Sequence, residues 1–189
     1  MTEFYKKHRP TLFKHIIGQD GACKVLSRML TTSTVPHALL FTGPSGCGKT
    51  TLARLLRIKL ECSEIDFNEI NCADFRGIDT VREIRQRMSL HTMGGKCRVW
   101  VIDECHQLSS QAQNAFLKIL EDTPKHVYFF LATTDPHKLI PTIKTRCTEV
   151  ALNRLNNVQL RDVVQRVLDK EEQAISVDVM DTLTEVADG

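Results

Sequence analysis

Five short apolar runs alternate along the chain with segments whose apolar residues recur every three or four positions. The runs fall at residues 37–42, 66–71, 97–102, 127–133 and 147–152. They are near-continuous, which is typical of strands buried on both faces of a parallel sheet. One helical stripe, with Ala22, Leu26 and Met29, precedes the first run, and another, with Ala112, Phe116 and Ile119, lies between the third and fourth. The pattern predicts an α/β three-layer sandwich around a five-stranded parallel sheet.

The pattern changes after Leu152, where the strand signals stop. Leu160, Val163 and Val167 lie on one helical stripe, and a second helix is predicted from Ser176, a suitable N-cap, through Met180 to Val186. We therefore divide the chain into an α/β domain, residues 1–152, and the start of a small helical domain, residues 153–189.

Composition narrows the class of protein. The mean hydropathy is −0.19, no apolar run approaches twenty residues, and the charged start MTEFYKKHRP has no signal-peptide core. These features predict a soluble protein that is neither membrane-spanning nor secreted. The formal net charge of +2 is too small to indicate nucleic-acid binding by itself, so any DNA contact needs a local basic surface.

The seven cysteines are odd in number and contain no C-x-x-C pair, which favours reduced, packed thiols over disulfides or a metal site.

The segment GPSGCGKTT matches the phosphate-loop pattern G-x-x-x-x-G-K-[ST]. The residues that would surround the phosphates are Gly43, Pro44, Ser45, Gly46, Cys47, Gly48, Lys49, Thr50 and Thr51. Glycines let successive N–H groups curl around phosphate, Lys49 supplies a positive charge, and Thr50 offers a hydroxyl to Mg²⁺. A chance glycine turn is the alternative, and the preceding strand and following helix argue against it. The loop predicts ATP and Mg²⁺ as ligands.

Two carboxylates follow the apolar strand VWVI. Asp103 and Glu104 are expected at the carboxyl edge of the sheet beside the phosphate loop, Asp103 to hold Mg²⁺ and Glu104 to orient and deprotonate the attacking water. Solvated acids at a strand end are the alternative interpretation. The next strand ends in Thr133 and Thr134, and a hydroxyl there, which we assign to Thr134, can hydrogen-bond the water or the γ-phosphate.

Taken together, these segments resemble the AAA+ ATPase subunits of sliding-clamp loaders, namely bacterial DNA polymerase III gamma/tau and the small subunits of replication factor C. The matching segments lie at residues 5–10, 16–20, 36–54, 76–84, 101–124 and 129–147. The resemblance implies a P-loop NTPase whose residues 1–152 form the nucleotide-binding domain and whose helical tail begins a lid domain. It further implies a ring, expected to be a pentamer, with other loader subunits, a sliding clamp and primer–template DNA as partners. Its location would be the cytoplasm of a bacterial or phage-infected cell, or the nucleoid.

The resemblance also assigns roles to single residues. It implies that Tyr5, Arg9, Pro10, Ile17 and Gly18 line the adenine pocket at the seam between the two domains. Proline and glycine here could equally serve only as turn formers. Arg146, in the family's S-R-C motif, is expected to reach the nucleotide of the neighbouring subunit. On sequence alone it could instead be a surface arginine paired with a nearby acid.

A DNA contact is expected on the helix opened by RGIDTVREIRQR. Arg82 and Arg85 lie three residues apart and project to one side of that helix. In the family this region follows the duplex backbone inside the ring. A solvated basic face is the alternative.

The chain departs from the family in three places. The four-cysteine zinc module of the gamma/tau subunits is missing after Cys62, so we expect no zinc. Thr145-Arg146-Cys147 replaces S-R-C and keeps the arginine. The sequence ends at Gly189, before the lid arginine and the collar domain, and we expect a fragment of a longer chain. Two other functions stay open: another AAA+ DNA-remodelling ATPase, such as a helicase loader or branch-migration motor, and a nucleotide-binding structural subunit without turnover.

Overall fold

The computed structural model describes residues 4–187, apart from the side chains of Tyr5 and Lys6. The strands are β1 (Ala38–Thr42), β2 (Phe67–Asn71), β3 (Arg98–Asp103), β4 (Val127–Thr133) and β5 (Thr148–Ala151). The helices are α1 (Phe4–Lys7), α2 (Asp20–Thr31), α3 (Lys49–Lys59), α4 (Ile78–Met88), α5 (Ser110–Glu121), α6 (Pro141–Arg146), α7 (Asn157–Glu171) and α8 (Val177–Val186). Single 3₁₀ turns lie at Phe13–His15, Cys105–Gln107 and Pro136–Lys138.

The strands form one five-stranded sheet in the order β2-β3-β4-β1-β5, and every pairing is parallel. The predicted five-stranded parallel sheet is therefore confirmed. Because all strands point the same way, the loops that follow β1, β3 and β4 meet at one carboxyl edge, where ligands of open α/β sheets bind.

Helices cover both faces of the sheet, and each face has its own apolar core. On one face, Val81 and Ile84 of α4 and Phe116 of α5 pack against Trp100 and Phe129 of the strands. The other face holds a second cluster with members from α2, α3 and the strands: Leu26, Leu52, Leu56, Phe41, Val99 and Phe130. The predicted three-layer sandwich follows from this arrangement, since alternate residues of each buried strand feed opposite cores.

The sheet ends at β5, and the two remaining helices lie beyond it. The N–H of Leu152 donates to the carbonyl of Thr42, at the end of β1. Helix α7 begins with a capping box in which Asn156 and Gln159 bond each other's backbone N–H. Ser176 caps α8 by accepting from the N–H of Val179, so the predicted second helix and its cap are confirmed. The division into domains at residue 152 we retain as a proposal.

A buried ion pair fixes the segment that leads into β3. Asp66, which is 0% exposed, lies 3.1 Å from the guanidinium Nη2 of Arg98. The same carboxylate accepts from the Ser63 hydroxyl and from the backbone N–H groups of residues 93–95. Arg98 in turn donates to the carbonyls of Arg87, Leu90 and His91. This network anchors residues 87–95 at the amino edge of the sheet, opposite the carboxyl edge where the phosphate loop lies.

Within residues 4–187, no helix is both long and apolar enough to cross a membrane.

Candidate functional site

The phosphate loop connects β1 to α3 at the carboxyl edge. Gly43 has φ +150°, and a Cβ there would lie 2.5 Å from the carbonyl oxygen of Leu152. Gly48, the N-cap of α3, has φ +101°. Both positions need glycine, the first for lack of space and the second for its backbone conformation. The loop therefore presents its backbone N–H groups together with the amino end of an 11-residue helix, an arrangement that favours anions.

The lysine of the loop lies inside the turn that it follows. Lys49 is only 6% exposed, and its Nζ donates to the carbonyls of Gly43 at 2.9 Å and Pro44 at 2.7 Å. A charged ammonium held this way by neutral carbonyls is placed to exchange those partners for phosphate oxygens, which bind it more strongly.

A hydroxyl and a carboxylate meet beside this lysine. The Thr50 Oγ1 donates to Asp103 Oδ2 at 2.9 Å, joining the first turn of α3 to the end of β3. Hydroxyl and carboxylate oxygens are ligands that Mg²⁺ prefers, with phosphate oxygens and waters completing its shell. The two predicted metal ligands are thus adjacent, and their chemistry fits Mg²⁺.

Glu104 follows Asp103 in a left-handed conformation with φ +47°. Non-glycine residues rarely adopt this conformation, and such strain concentrates at functional sites. Its N–H donates to Asp103 Oδ1 at 3.0 Å, and its Oε2 accepts from the Thr134 hydroxyl at 3.0 Å. The structure therefore brings Thr134 to the carboxylate of Glu104.

A histidine that we did not select from the sequence also reaches this carboxylate. His106 Nδ1 lies 3.3 Å from Glu104 Oε2 and 3.0 Å from Thr133 Oγ1. The histidine is visible in the sequence, two residues after Glu104 in the tetrapeptide DECH. Its hydrogen-bond partner Thr133, however, lies 27 residues away. The contacts of His106 with Thr133 and Glu104 could therefore be identified only from the folded structure.

Two adjoining cavities, of about 560 Å³ and 190 Å³, extend from this site. The larger is lined by Lys49, Thr50, Asp103 and Glu104 as well as by Val163 and Val167 of α7. The smaller lies between the phosphate loop, the 3₁₀ turn Phe13–His15 and α7. Pockets of a few hundred Å³ suit small organic ligands.

The predicted adenine residues are distributed unevenly around these cavities. Pro10 lines both, Ile17 lines the smaller and Arg9 the larger. Gly18 instead lines a separate depression with Gln19 and Val150, and its φ of +74° serves a turn packed against α7 and the residues before it. The side chain of Tyr5 lies outside the described residues.

A second side chain that we did not select from the sequence holds the phosphate loop in place. Gln19 is buried, donates to the carbonyls of Cys47 and Asn153, and accepts from the N–H of Asn153. It thus links the loop to the segment that leads into α7. Its position in the segment IIGQD was the only sequence signal.

The cysteines beside the site are buried thiols. Burial, reinforced by the negative charges of Asp103 and Glu104, raises the pKa of Cys72 to about 12. Burial likewise raises the pKa of Cys47, although Lys49 opposes the shift. Both thiols are therefore protonated at neutral pH and act as packing groups. Within residues 4–187, no three histidine, cysteine or acidic side chains cluster in a way that could hold a metal.

Arg146 lies at the opposite edge of the sheet from the phosphate loop. It ends α6 immediately before β5, whose first residue pairs with Leu39 at the start of β1. Four residues of strand, about 13 Å, separate that level from Gly43. The side chain is 37% exposed, and its guanidinium donates to the carbonyl of Thr142 and forms an ion pair with Glu121. Arg146 is thus remote from the site of its own chain.

Arg82 and Arg85 are exposed on α4, as the helical spacing predicts. Together they line two shallow depressions, one of which also includes Lys118 of α5. Arg82 makes an exposed ion pair with Asp79 at 2.8 Å, an interaction that contributes little to stability and is easily exchanged. The arginines and Lys118 form a small basic surface, which we call the α4–α5 surface.

Comparison with known proteins gives this geometry a family. The gamma/tau subunit of DNA polymerase III from Mycobacterium tuberculosis is 33% identical over 190 residues, which span 88% of this chain and 33% of that protein. The tau subunit of Escherichia coli is 33% identical over 205 residues, 97% of this chain and 32% of its own length. This chain is a homologue of the DNA polymerase III gamma/tau subunits. It spans about a third of the length of these relatives.

Two family models match parts of this gamma/tau homologue. One, described as DNA polymerase III, delta subunit, matches residues 72–156, and a sigma-54 interaction domain matches residues 16–80. Among solved structures, the RuvB branch-migration motor of Thermotoga maritima superposes with a TM-score of 0.73 at 23% identity, covering 96% of this chain and 60% of that one. A gamma subunit-related protein of the same organism gives 0.62 at 22% identity, over 85% and 57% of the two chains. The fold is therefore the AAA+ P-loop fold predicted from the sequence.

Proposed function

We propose that this chain is an ATP-hydrolysing subunit of a sliding-clamp loader, acting in a ring to open a clamp and place it on primer–template DNA. The observation that carries the proposal is the convergence of Lys49, the Thr50–Asp103 pair and Glu104 on one cavity. These groups supply the parts that phosphoryl transfer needs, which are charge neutralisation, a metal platform and a base.

Binding begins with the phosphates. The N–H groups of the loop and the amino end of α3 attract the phosphate oxygens, and the Lys49 ammonium moves from the carbonyls of Gly43 and Pro44 to the β and γ oxygens. Thr50 and Asp103 would hold Mg²⁺, which supplies additional neutralisation of the phosphate charge.

Hydrolysis depends on Glu104. Its side chain is 30% exposed and lines the cavity, so a water can reach the carboxylate and lose a proton to it as the γ-phosphoryl group is attacked. The hydrogen bond from Thr134 supports the assignment of this threonine as the group that orients the base and senses the γ-phosphate. A structural subunit without turnover has no need for this arrangement.

The adenine pocket and the subunit ring would couple the bound nucleotide to the conformation of the protein. Pro10, Ile17 and Arg9 are our proposed adenine contacts, and Val163 and Val167 close the same cavities from α7. A nucleotide bound there touches both the α/β unit and α7, so it can bias their relative position. Arg146 would leave Glu121 to neutralise the phosphoryl charge of a neighbouring subunit, and the α4–α5 surface would contact DNA phosphates.

The experiment measures ATP hydrolysis by the full-length protein assembled with its partner subunits. We expect stimulation by primer–template DNA and clamp together that exceeds the effect of either alone. Stimulation by branched DNA in the absence of any clamp would indicate another DNA-remodelling ATPase. A flat rate under every condition, with ATP bound, would indicate a structural subunit and refute the proposal.

A further inference from the structure

A buried histidine stands between the acidic motif and the end of the neighbouring strand. His106 lies in the 3₁₀ turn directly after Glu104, and its side chain is 6% exposed. Both of its ring nitrogens have partners. Nδ1 faces Glu104 Oε2 at 3.3 Å and Thr133 Oγ1 at 3.0 Å, and Nε2 faces the amide nitrogen of Gln107 at 3.0 Å. The ring is thus fixed on both sides.

These partners determine which ring nitrogen carries the proton. An amide nitrogen can only donate, so Gln107 donates to His106 Nε2, which must accept. In the neutral ring the proton then sits on Nδ1. That N–H donates to Thr133 Oγ1 at 3.0 Å, and the same nitrogen lies 3.3 Å from Glu104 Oε2. Thr133 Oγ1 also accepts from the N–H of Asp135 at 3.0 Å, so the ring is tied to the end of β4.

The two side chains that approach the Glu104 carboxylate lie at the same oxygen. Thr134 Oγ1 donates to Oε2 and His106 Nδ1 lies 3.3 Å from it, whereas Oε1 makes no hydrogen bond within residues 4–187. A carboxylate held by one oxygen keeps the lone pairs of the other for a water proton. His106 does not line the larger cavity, so its contact with the carboxylate lies outside that cavity.

We propose that His106 is a positioning residue for Glu104: its ring, held by Thr133 and Gln107, places Nδ1 3.3 Å from Oε2, so that Oε1 faces the attacking water. The inference rests on the proposed ATPase function. It assigns to His106 no contact with nucleotide and no proton transfer. Its contribution is the orientation of the base, and a displacement of about 1 Å at a reacting group can cost about 100-fold in rate.

The kinetic test uses three substitutions in the full-length protein in its assembled state. His106→Ala should lower kcat about 10-fold or more and leave the KM for ATP within about twofold. His106→Asn should recover most of the rate, because its amide nitrogen is attached to Cγ as Nδ1 is. His106→Gln carries the same amide one bond further out and should not recover it. Equal rates for Asn and Gln, or unchanged kcat in His106→Ala, overturn the positioning role.

The spectroscopic test needs no turnover and no substitution of His106. Nitrogen-15 NMR of the histidine ring in the wild-type chain should show His106 protonated at Nδ1. Gln107→Leu should abolish this preference, because nothing then donates to Nε2. A wild-type ring protonated at Nε2 overturns the inference even if every variant folds poorly. Absence of ATP turnover in the wild-type assembly would instead overturn the proposed function, and this inference with it.

Discussion

Replacement of Asp66 by asparagine tests the ion pair that anchors residues 87–95. The carboxylate is fully buried and accepts hydrogen bonds from Arg98, Ser63 and the backbone of residues 93–95. Asp66→Asn keeps the size of the side chain but removes its charge. The guanidinium of Arg98, itself buried, then lacks a counter-charge. The amide group of asparagine also replaces an accepting oxygen by an NH₂ group, which faces hydrogen-bond donors and cannot accept from them. The variant should therefore be destabilised without a change in the phosphate loop.

The magnitude follows from the pKa of Asp66. Burial alone would raise it, but hydrogen bonds from Met93 N–H, the Ser63 hydroxyl, Gly94 N–H and Arg98 outweigh burial and lower the pKa from 3.8 to about 2. That difference corresponds to about 2 kcal/mol of folding free energy at neutral pH. Removing one partner of a buried pair typically costs about 3–5 kcal/mol, because the other charge is left unpaired. We expect a loss of about 3 kcal/mol.

The pH dependence has a defined sign. The folded-state pKa of Asp66 is depressed, so its contribution is fully present above the unfolded pKa of 3.8 and is lost as pH falls through about 2. Urea unfolding should therefore show a gap between wild type and Asp66→Asn that is constant above about pH 5 and shrinks by about 1 kcal/mol by about pH 3. Asp79→Asn, which removes an exposed acid paired with Arg82, is the control and should change stability little. A loss under about 1 kcal/mol at pH 7, or a gap independent of pH, would refute the reasoning.

Three further predictions concern the proposed function. Thr134→Ala removes a hydrogen bond to Glu104 and should lower turnover severalfold with little change in ATP affinity; weaker binding in an ATP titration would contradict the assignment. Replacing Arg82 and Arg85 by alanine should reduce DNA-stimulated ATPase and flatten its salt dependence, and an unchanged rate would end the DNA-contact idea. Arg146→Ala should impair hydrolysis only in the assembled ring. Mixing Arg146→Ala chains with Lys49→Ala chains should restore activity at junctions that pair an intact loop with an intact arginine. No recovery in a ring shown to assemble would exclude action in trans.

The parts of the site that the sequence predicts are those carried by contiguous motifs. The loop from Gly43 to Thr51 is one local turn, and Asp103 and Glu104 end a run of buried residues, so the topology brings them together once the sheet is parallel. Thr134 follows the adjacent strand and arrives at the same edge. For these residues, the strand order alone explains the geometry.

The residues that the sequence did not reveal depend on contacts between distant segments. The position of His106 depends on Thr133, and that of Gln19 on Asn153, 134 residues away. Gly18 was expected at the adenine pocket, yet its positive φ belongs to a turn whose neighbours are Leu155 and Gln159. The ion pair of Arg146 with Glu121 likewise joins the ends of α5 and α6. No local pattern encodes such pairs.

The central claim, that ATP binds at the phosphate loop and is hydrolysed through Glu104, is tested most directly by comparing two substitutions in the assembled protein. ATP affinity and turnover are measured for Lys49→Ala and Glu104→Gln. Lys49→Ala should abolish binding, because the phosphate charge then has no ammonium partner. Glu104→Gln should bind ATP as tightly as the wild type and turn over almost none, because only the base is lost. Equal loss of affinity in both variants, or normal turnover in Glu104→Gln, would contradict the account.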